Sequence, residues 1–110
     1  MIRVAVLYPN FEGSRFNVSY YKQQHMQLVW QKLGPLGLVG CEVDAGIAGM
    51  GGALAPYAAI GYMFFETVDQ FQSGFAKVGE ELVADVPNYT NIAPVIQISQ
   101  WEQIQRAARP

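Results

Sequence analysis

The sequence predicts an α+β domain of the ferredoxin-like type, with the element order β-α-β-β-α-β. Four short apolar segments are typical of strands, and two longer stretches repeat apolar residues at helical spacing. The 110 residues suffice for one compact domain, which we expect to span positions 1–110. We therefore expect an antiparallel four-stranded sheet with two helices on one face.

The N-terminal half is predicted to form a strand, a helix and a second strand. Residues 2–8 (IRVAVLY) are apolar on both alternating faces, which is typical of a strand covered on both sides. Residues 18–33 are predicted to form the first helix, with Asn17 as its N-cap and Gly34 at its end. Residues 38–44 (LVGCEVD) are predicted to form the second strand.

The C-terminal half is predicted to form a strand, a helix and a last strand. Residues 57–65 (YAAIGYMFF) are the third strand, and a Thr-x-x-Gln capping box at Thr67 begins a helix that extends to Val83 or Ala84. Residues 92–101 (IAPVIQISQW) are the fourth strand. The uncharged, glycine-rich segment 46–56 is either a flexible connection or a flap over a pocket.

Composition and charge exclude several classes of partner. The net charge is −2 and the pI about 5.2, so the sequence has no basic footprint for nucleic acid. No segment approaches the roughly 20 consecutive apolar residues of a membrane helix. The N-terminus begins at once with a strand-like run and lacks the features of a signal peptide. We therefore expect a cytoplasmic protein that binds neither nucleic acid nor membrane.

The apolar surface exceeds what two helices on one sheet face can cover. Apolar residues make up 51% of the chain and charged residues 15%, which is below the usual quarter of a soluble domain. The first and third predicted strands are apolar on both faces. An uncovered apolar face is an association site, and two-fold homodimers are the commonest oligomers. The sequence therefore predicts a homodimer with sheet-to-sheet packing, although a lipid-like ligand is a second way to cover this face.

The only histidine, His25, lies where the first helix would be expected to carry a leucine. On a helical projection it falls near the centre of an apolar arc formed by Val18, Tyr21, Leu28, Val29 and Leu33. A histidine titrates near neutral pH and serves as a general acid or base. We therefore take His25 as the candidate catalytic residue and Tyr21, one turn away, as its polar partner. The structural alternative is a core histidine with one hydrogen bond to the backbone.

The sequence contains candidate partners for this histidine but no pattern typical of a metal site. Glu42 and Asp44, on one face of the second strand, are the candidate carboxylate partners of the imidazole. One histidine and one cysteine do not make a typical zinc site, and nothing beyond an available axial histidine argues for haem. We therefore expect no metal and no cofactor.

A cavity for an apolar ligand is predicted beside the histidine. The predicted substrate-binding residues are Tyr8, Phe11, Leu28, Tyr62, Phe64 and Trp101.

Two segments carry a resemblance to a known family. Residues 16–29 have the pattern FNxxYYxxxHMxLV, and residues 84–92 (ADVPNYTNI) are followed by Pro94 and by QIS at 97–99. Together these motifs resemble the EthD family, named for a protein linked to ethyl tert-butyl ether degradation. The resemblance implies the dimeric α+β barrel, in which two sheets pack across a two-fold axis.

The same resemblance bears on the turn-rich link before the last strand. Asp85, Asn88 and Tyr89 are typical turn residues, and as part of a family motif they are also candidates for the pocket rim or the dimer contact. Related dimeric barrels include cofactor-free monooxygenases, haem-degrading enzymes, lactone isomerases and enzymes that dehydrate or decarboxylate polyketides.

The sequence therefore favours a small homodimer that acts on an apolar or aromatic small molecule by metal-free acid/base chemistry. Oxygenation, dehydration, isomerisation and decarboxylation all remain open as the reaction. The alternative is a non-catalytic protein that binds a hydrophobic ligand or supports an oxygenase. A third interpretation is a structural dimer in which His25 is a packed core residue.

Overall fold

The computed structural model describes residues 1–108 and contains one antiparallel sheet of four strands. The strand order is β2-β3-β1-β4, and each pair of neighbours is antiparallel. With one helix after β1 and another after β3, this is the ferredoxin-like arrangement, as predicted. The strands are β1 (Ile2–Pro9), β2 (Gly40–Ala45), β3 (Tyr57–Phe65) and β4 (Val95–Gln100).

The first helix, α1, has three consecutive segments, with a π-helical turn in the middle. It begins as Val18–Tyr20, widens to a π turn over Tyr21–His25 and continues as Met26–Leu33. The Asn17 side chain accepts a hydrogen bond from the Tyr20 backbone N–H at 3.0 Å, so the predicted N-cap is confirmed. The periodicity of the sequence predicts a uniform helix, whereas the structure places an irregular turn at the candidate histidine.

The second helix, α2, spans Val68–Asp85 and is followed by a single 3₁₀ turn over Val86–Asn88. The Thr67 hydroxyl accepts a hydrogen bond from the Gln70 backbone N–H at 3.1 Å, as the capping motif predicts. The helix is one or two residues longer than expected. Asp85 therefore ends the helix rather than beginning the turn-rich link.

The hydrophobic core lies between the two helices and one face of the sheet. Strand alternation turns Val4 and Tyr8 of β1, and Ala59 and Phe65 of β3, toward the helices, where all four are almost fully buried. Gly74 of α2 lies close to α1, since a Cβ atom there would contact the Leu33 side chain at 3.2 Å.

The starts of β2 and β4 differ most from the prediction, whereas the ends of β1, β2 and β4 differ by a single residue. The Leu38 backbone N–H donates to the Leu33 carbonyl, so Leu38 belongs to the turn that ends α1, and β2 starts two residues later. Ile92 is buried, and its N–H donates to the Thr90 hydroxyl, so β4 begins only at Val95.

No helix of the described chain covers the second face of the sheet. Arg3 of β1 places its guanidinium 4.6 Å above the ring of Tyr62, and the Tyr62 hydroxyl donates to Asp44 at 2.9 Å. Phe64 packs edge-to-face against Trp101, with ring centroids 5.6 Å apart. We call this surface the outer face. Neither helix within residues 1–108 is long and apolar enough to cross a membrane.

The glycine-rich segment 46–56 lies at one end of the sheet and contains only a short 3₁₀ turn, Met50–Gly52. Asn10 anchors it, because the Asn10 amide donates to the Ala55 carbonyl at 2.7 Å. Within the described chain, no residue of the segment lines the cavity described below. The structure therefore favours a connection over a flap.

Candidate functional site

An apolar cavity of about 80 Å³ lies between the sheet and the two helices. Its walls come from β1, β3, β4, both helices and the link between α2 and β4. The lining side chains are mostly aliphatic or aromatic, including Val6, Met26, Val29, Met63, Phe71 and Leu82. Tyr8, Tyr21 and His25 are the only lining residues in the described chain with polar side-chain atoms that can form strong hydrogen bonds.

The π turn of α1 presents Tyr21 and His25 together at the cavity. Their rings stack with centroids 5.5 Å apart and planes inclined by 14°, and His25 is only 6% exposed. Tyr21 fits because β3 has a glycine opposite its hydroxyl. A Cβ atom on Gly61 would overlap that hydroxyl. The orientation of the histidine ring is thus supported by a tyrosine that itself depends on Gly61.

Asp85 at the end of α2 is the hydrogen-bonding partner of the histidine. The His25 Nδ1 atom lies 2.9 Å from Asp85 Oδ2. The other carboxylate oxygen accepts from the Tyr20 hydroxyl at 2.7 Å and from the Asn88 amide at 2.9 Å. Three donors therefore hold the carboxylate in one orientation, and two of them come from α1, far from Asp85 in the sequence.

Burial and hydrogen bonding set the charges of this pair. Burial lowers the pKa of His25 below 6.5, and the hydrogen bond to Asp85 offsets this only in part. Partial burial would raise the pKa of Asp85, but hydrogen bonds from Asn88, His25 and Tyr20 outweigh it and lower that pKa below 3.8. At neutral pH the pair is thus an ionised carboxylate and a neutral imidazole. Because the carboxylate only accepts, Nδ1 carries the proton and Nε2 carries the lone pair.

A cluster of phenols lies beside the histidine. The hydroxyls of Tyr8 and Tyr89 are 2.6 Å apart. The Tyr89 ring lies 4.6 Å from the imidazole and 5.0 Å from the Tyr21 ring, between centroids. Tyr89 does not line the cavity, so it packs behind Tyr8 and His25 and holds both in place.

The structure brings together three of the predicted site residues, His25, Tyr21 and Tyr8. The other five do not line this cavity. Leu28 is half-buried elsewhere on α1, and Phe11 is 53% exposed in the loop after β1. Tyr62 and Phe64 lie on the outer face, because neighbouring β3 residues alternate, and Trp101 packs there against Phe64. The expectation that one cavity gathers all these residues is therefore wrong.

The predicted carboxylate partners are also wrong. Glu42 and Asp44 lie on the outer face of β2, whereas the histidine lies on the side of the helices. The partner is Asp85, which the sequence indicates as a turn residue or rim residue. It lies 60 positions from His25, so no local spacing reveals the pairing. Only the combined motif of residues 16–29 and 84–92 contains a signal for it.

The described residues do not form a metal site. Within residues 1–108, no group of three or more histidine, cysteine, aspartate or glutamate side chains is placed to hold a metal ion. The basic groups at the cavity are one imidazole and, behind it, one carboxylate. This donor set suits proton transfer.

The fold and sequence are similar to those of several solved structures. An EthD-like protein from Ralstonia eutropha JMP134 is 36% identical, with a TM-score of 0.88 and 96% of each chain covered. An EthD family protein from Bacillus halodurans C-125 is 17% identical, with a TM-score of 0.70, over 93% of this chain and 99% of the other. A dimeric ferredoxin-like protein from an uncultured marine organism is 8% identical, with a TM-score of 0.54, over 99% and 100%.

These three similarities differ in what they support. At 17% and 8% identity, the second and third show the shared fold alone. The EthD-like protein from Ralstonia eutropha is 36% identical over nearly the full length, so its similarity to this chain includes the sequence as well as the fold. No family model matches the chain, and no curated protein matches it.

Proposed function

The chain belongs to the EthD family, and on that premise we propose that it transfers protons to and from an apolar small molecule. His25 is the general base, and Nε2 is the atom that takes the proton. Tyr21 is its partner and orients the imidazole, because the two rings stack with their centroids 5.5 Å apart. The cavity between sheet and helices is the substrate site.

The observation that carries this proposal is the hydrogen bond between His25 Nδ1 and Asp85 Oδ2, at 2.9 Å. The ionised carboxylate fixes the tautomer, so the basic nitrogen is the one that remains available to a ligand. When Nε2 takes a proton, the new positive charge lies next to Asp85, which stabilises it. The hydrogen bonds from Tyr20 and Asn88 keep the carboxylate from turning away.

The lining of the cavity defines the substrate in general terms. A drug-sized ligand needs roughly 300 Å³ or more, and this cavity measures about 80 Å³. It therefore holds the reactive end of a molecule rather than the whole of it. Proton removal is shared by isomerisation, dehydration and cofactor-independent oxygenation, so the site is compatible with each.

Deuterium exchange tests the proposal and does not require the substrate to be identified. A panel of apolar ketones and 1,3-dicarbonyl compounds is incubated in D₂O, and carbon-bound deuterium is measured by NMR. General base catalysis contributes about 10²–10⁴-fold, so His25→Gln should lower the exchange rate by at least about 100-fold. Lys22→Gln, an exposed change on the same π turn, is the matched control. Equal exchange with His25→Gln and wild type would refute the role of His25.

A non-catalytic ligand-binding or accessory role is the second candidate, and the apolar lining favours it. Such a protein would bind the panel compounds but leave their exchange rates at the solvent value. Binding is measured as a rise in melting temperature with each compound. A rise without exchange, in wild type and His25→Gln alike, identifies this second function.

The outer face is proposed to pair with a second copy of the chain. Leu7 and Ile60 lie opposite each other at its centre, and Val95 at its edge is more than half exposed. The marine neighbour of the same fold is dimeric. Light scattering should give twice the chain mass of 12.2 kDa. Leu7→Lys should give a monomer and Gln27→Lys on the exposed side of α1 a dimer, whereas a monomeric wild type would refute the pairing.

The cytoplasmic location expected from the sequence is kept as part of the proposal. Cell fractionation of the native source tests this location directly.

A further inference from the structure

Two tyrosines line the cavity beside the proposed base His25, and a tyrosine hydroxyl can donate a hydrogen bond to an oxygen atom of a ligand. Tyr8 and Tyr21 both line the cavity, and both are 2% exposed. The Tyr8 hydroxyl lies 2.6 Å from that of Tyr89, which is outside the cavity wall. If Tyr89 donates to Tyr8, the hydrogen of the Tyr8 hydroxyl is directed to a ligand.

The surroundings of Tyr8 favour it as the donor. Burial raises the pKa of Tyr8, but the hydroxyls of Tyr89 and Tyr21 oppose that rise. The pKa values of Tyr21 and Tyr89 are raised by burial first, and the proximity of Tyr8 raises them further. Negative charge is thus best tolerated on the Tyr8 oxygen, because both neighbours stabilise it. A hydroxyl of this kind is a strong donor to a developing oxyanion.

The cavity opens on the side away from the main core. Val83 of α2 is 57% exposed and Ile96 of β4 is 54% exposed, although both line the cavity. Apart from Tyr8, Tyr21 and His25, the side chains that line the cavity are apolar. A ligand with a small polar end therefore places that end among Tyr8, Tyr21 and His25, and its apolar body lies across Val83 and Ile96.

We propose that the site takes an enolisable carbonyl compound, with its oxygen hydrogen-bonded to Tyr8 and its neighbouring C–H bond directed at His25. This inference rests on the proposed function and adds the substrate class and the oxyanion donor. His25 Nε2 takes the proton, the electrons of the C–H bond form a carbon–carbon double bond, and the carbonyl π electrons move to oxygen. In a β,γ-unsaturated carbonyl compound the product is a dienolate. His25 returns the proton to its γ carbon as the carbonyl re-forms, which completes an isomerisation with no change of oxidation state. In a saturated ketone the proton returns to the same carbon, and only exchange is observed.

Binding of 4-nitrophenol tests the oxyanion donor separately from the base. Ionised phenols mimic an enolate in shape and charge, and the absorbance of this probe reports its ionisation. Wild type should bind the ionised form. Tyr8→Phe should weaken that binding by about 10- to 100-fold, the usual effect of losing one hydrogen bond to a charged group. His25→Gln should still bind the probe, because Tyr8 and not His25 contacts the oxygen.

Tyr89→Phe is the matched control, because both substitutions remove the same Tyr8–Tyr89 hydrogen bond. Only Tyr8→Phe also removes the donor to the ligand, so Tyr89→Phe should weaken binding by less than about tenfold. Tyr62→Phe on the outer face should have no effect. Equal losses in Tyr8→Phe and Tyr89→Phe, or a wild type that binds no ionised probe, would overturn the inference. Failure of the proposed function appears separately, as deuterium exchange that is independent of His25.

Discussion

Replacing Asp85 with asparagine tests how the carboxylate holds the candidate site together. Asp85→Asn keeps the shape of the side chain but removes its charge and one acceptor. The amide oxygen still accepts from Tyr20 and Asn88, whose donors now lie 2.7 and 2.9 Å from a carboxylate oxygen. The amide nitrogen then takes the place of Oδ2, which lies 2.9 Å from His25 Nδ1, and an amide nitrogen donates rather than accepts. The imidazole must then move its proton to Nε2, which blocks the basic nitrogen.

The expected loss follows from these three bonds. A hydrogen bond to a charged group contributes about 1.5–3 kcal/mol, and one between neutral groups about 0.5–1.5 kcal/mol. Three such exchanges lower the free energy of unfolding by about 2–3 kcal/mol, which is less than their full sum because Asn88 is exposed and Tyr20 is partly exposed. For a domain of this size the melting temperature should fall by about 10 °C. Deuterium exchange should fall by at least about 100-fold.

Urea unfolding at neutral pH measures the effect of Asp85→Asn. The matched control is Asp69→Asn, in the first turn of α2, where the carboxylate interacts with the helix dipole and the loss should stay near 0.5 kcal/mol. If Asp85→Asn unfolds within about 0.5 kcal/mol of wild type, the carboxylate does not hold the site, and the reasoning fails.

Two further predictions concern the same site. Burial lowers the pKa of His25, so the folded state disfavours the protonated imidazole. The contribution of His25 to stability should be full above about pH 6.5 and should fall as the pH decreases from there. His25→Gln should flatten this part of a profile of melting temperature against pH. A steeper fall in His25→Gln would contradict the buried neutral imidazole. Gly61→Ala should cost about 1–3 kcal/mol, because its Cβ overlaps the Tyr21 hydroxyl, and adding Tyr21→Phe should recover part of that loss in urea unfolding. Additive losses in the double variant would show that the two residues are not coupled.

Local patterns predict most of the fold. The N-caps Asn17 and Thr67 and the bounds of β3 follow from single residues and short apolar runs. The starts of β2 and β4 differ, because Leu38 and Ile92 are apolar yet belong to turns rather than to strands. Apolar character indicates burial, and it does not distinguish a strand from a well-packed turn.

The candidate site is predictable only in part. His25 is recognisable because a helix stripe that should be apolar contains an imidazole. The sequence misplaces Tyr62 and Phe64 because β3 is apolar on both faces, so alternation does not show which face meets the helices. The pairing with Asp85 depends on the packing of two helices whose paired residues are 60 positions apart. Such a contact arises from tertiary structure and leaves no local spacing.

Nitrogen-15 NMR of the single histidine shows directly which ring nitrogen of His25 carries the proton, because the ring signals need no assignment among several residues. We expect a neutral ring at neutral pH, with the proton on Nδ1, an unprotonated Nε2 and a pKa below the ordinary 6.5. A proton on Nε2 at neutral pH, in a neutral or a charged ring, would mean that the imidazole does not present a basic nitrogen to the cavity. The proposed acid/base function would then be contradicted.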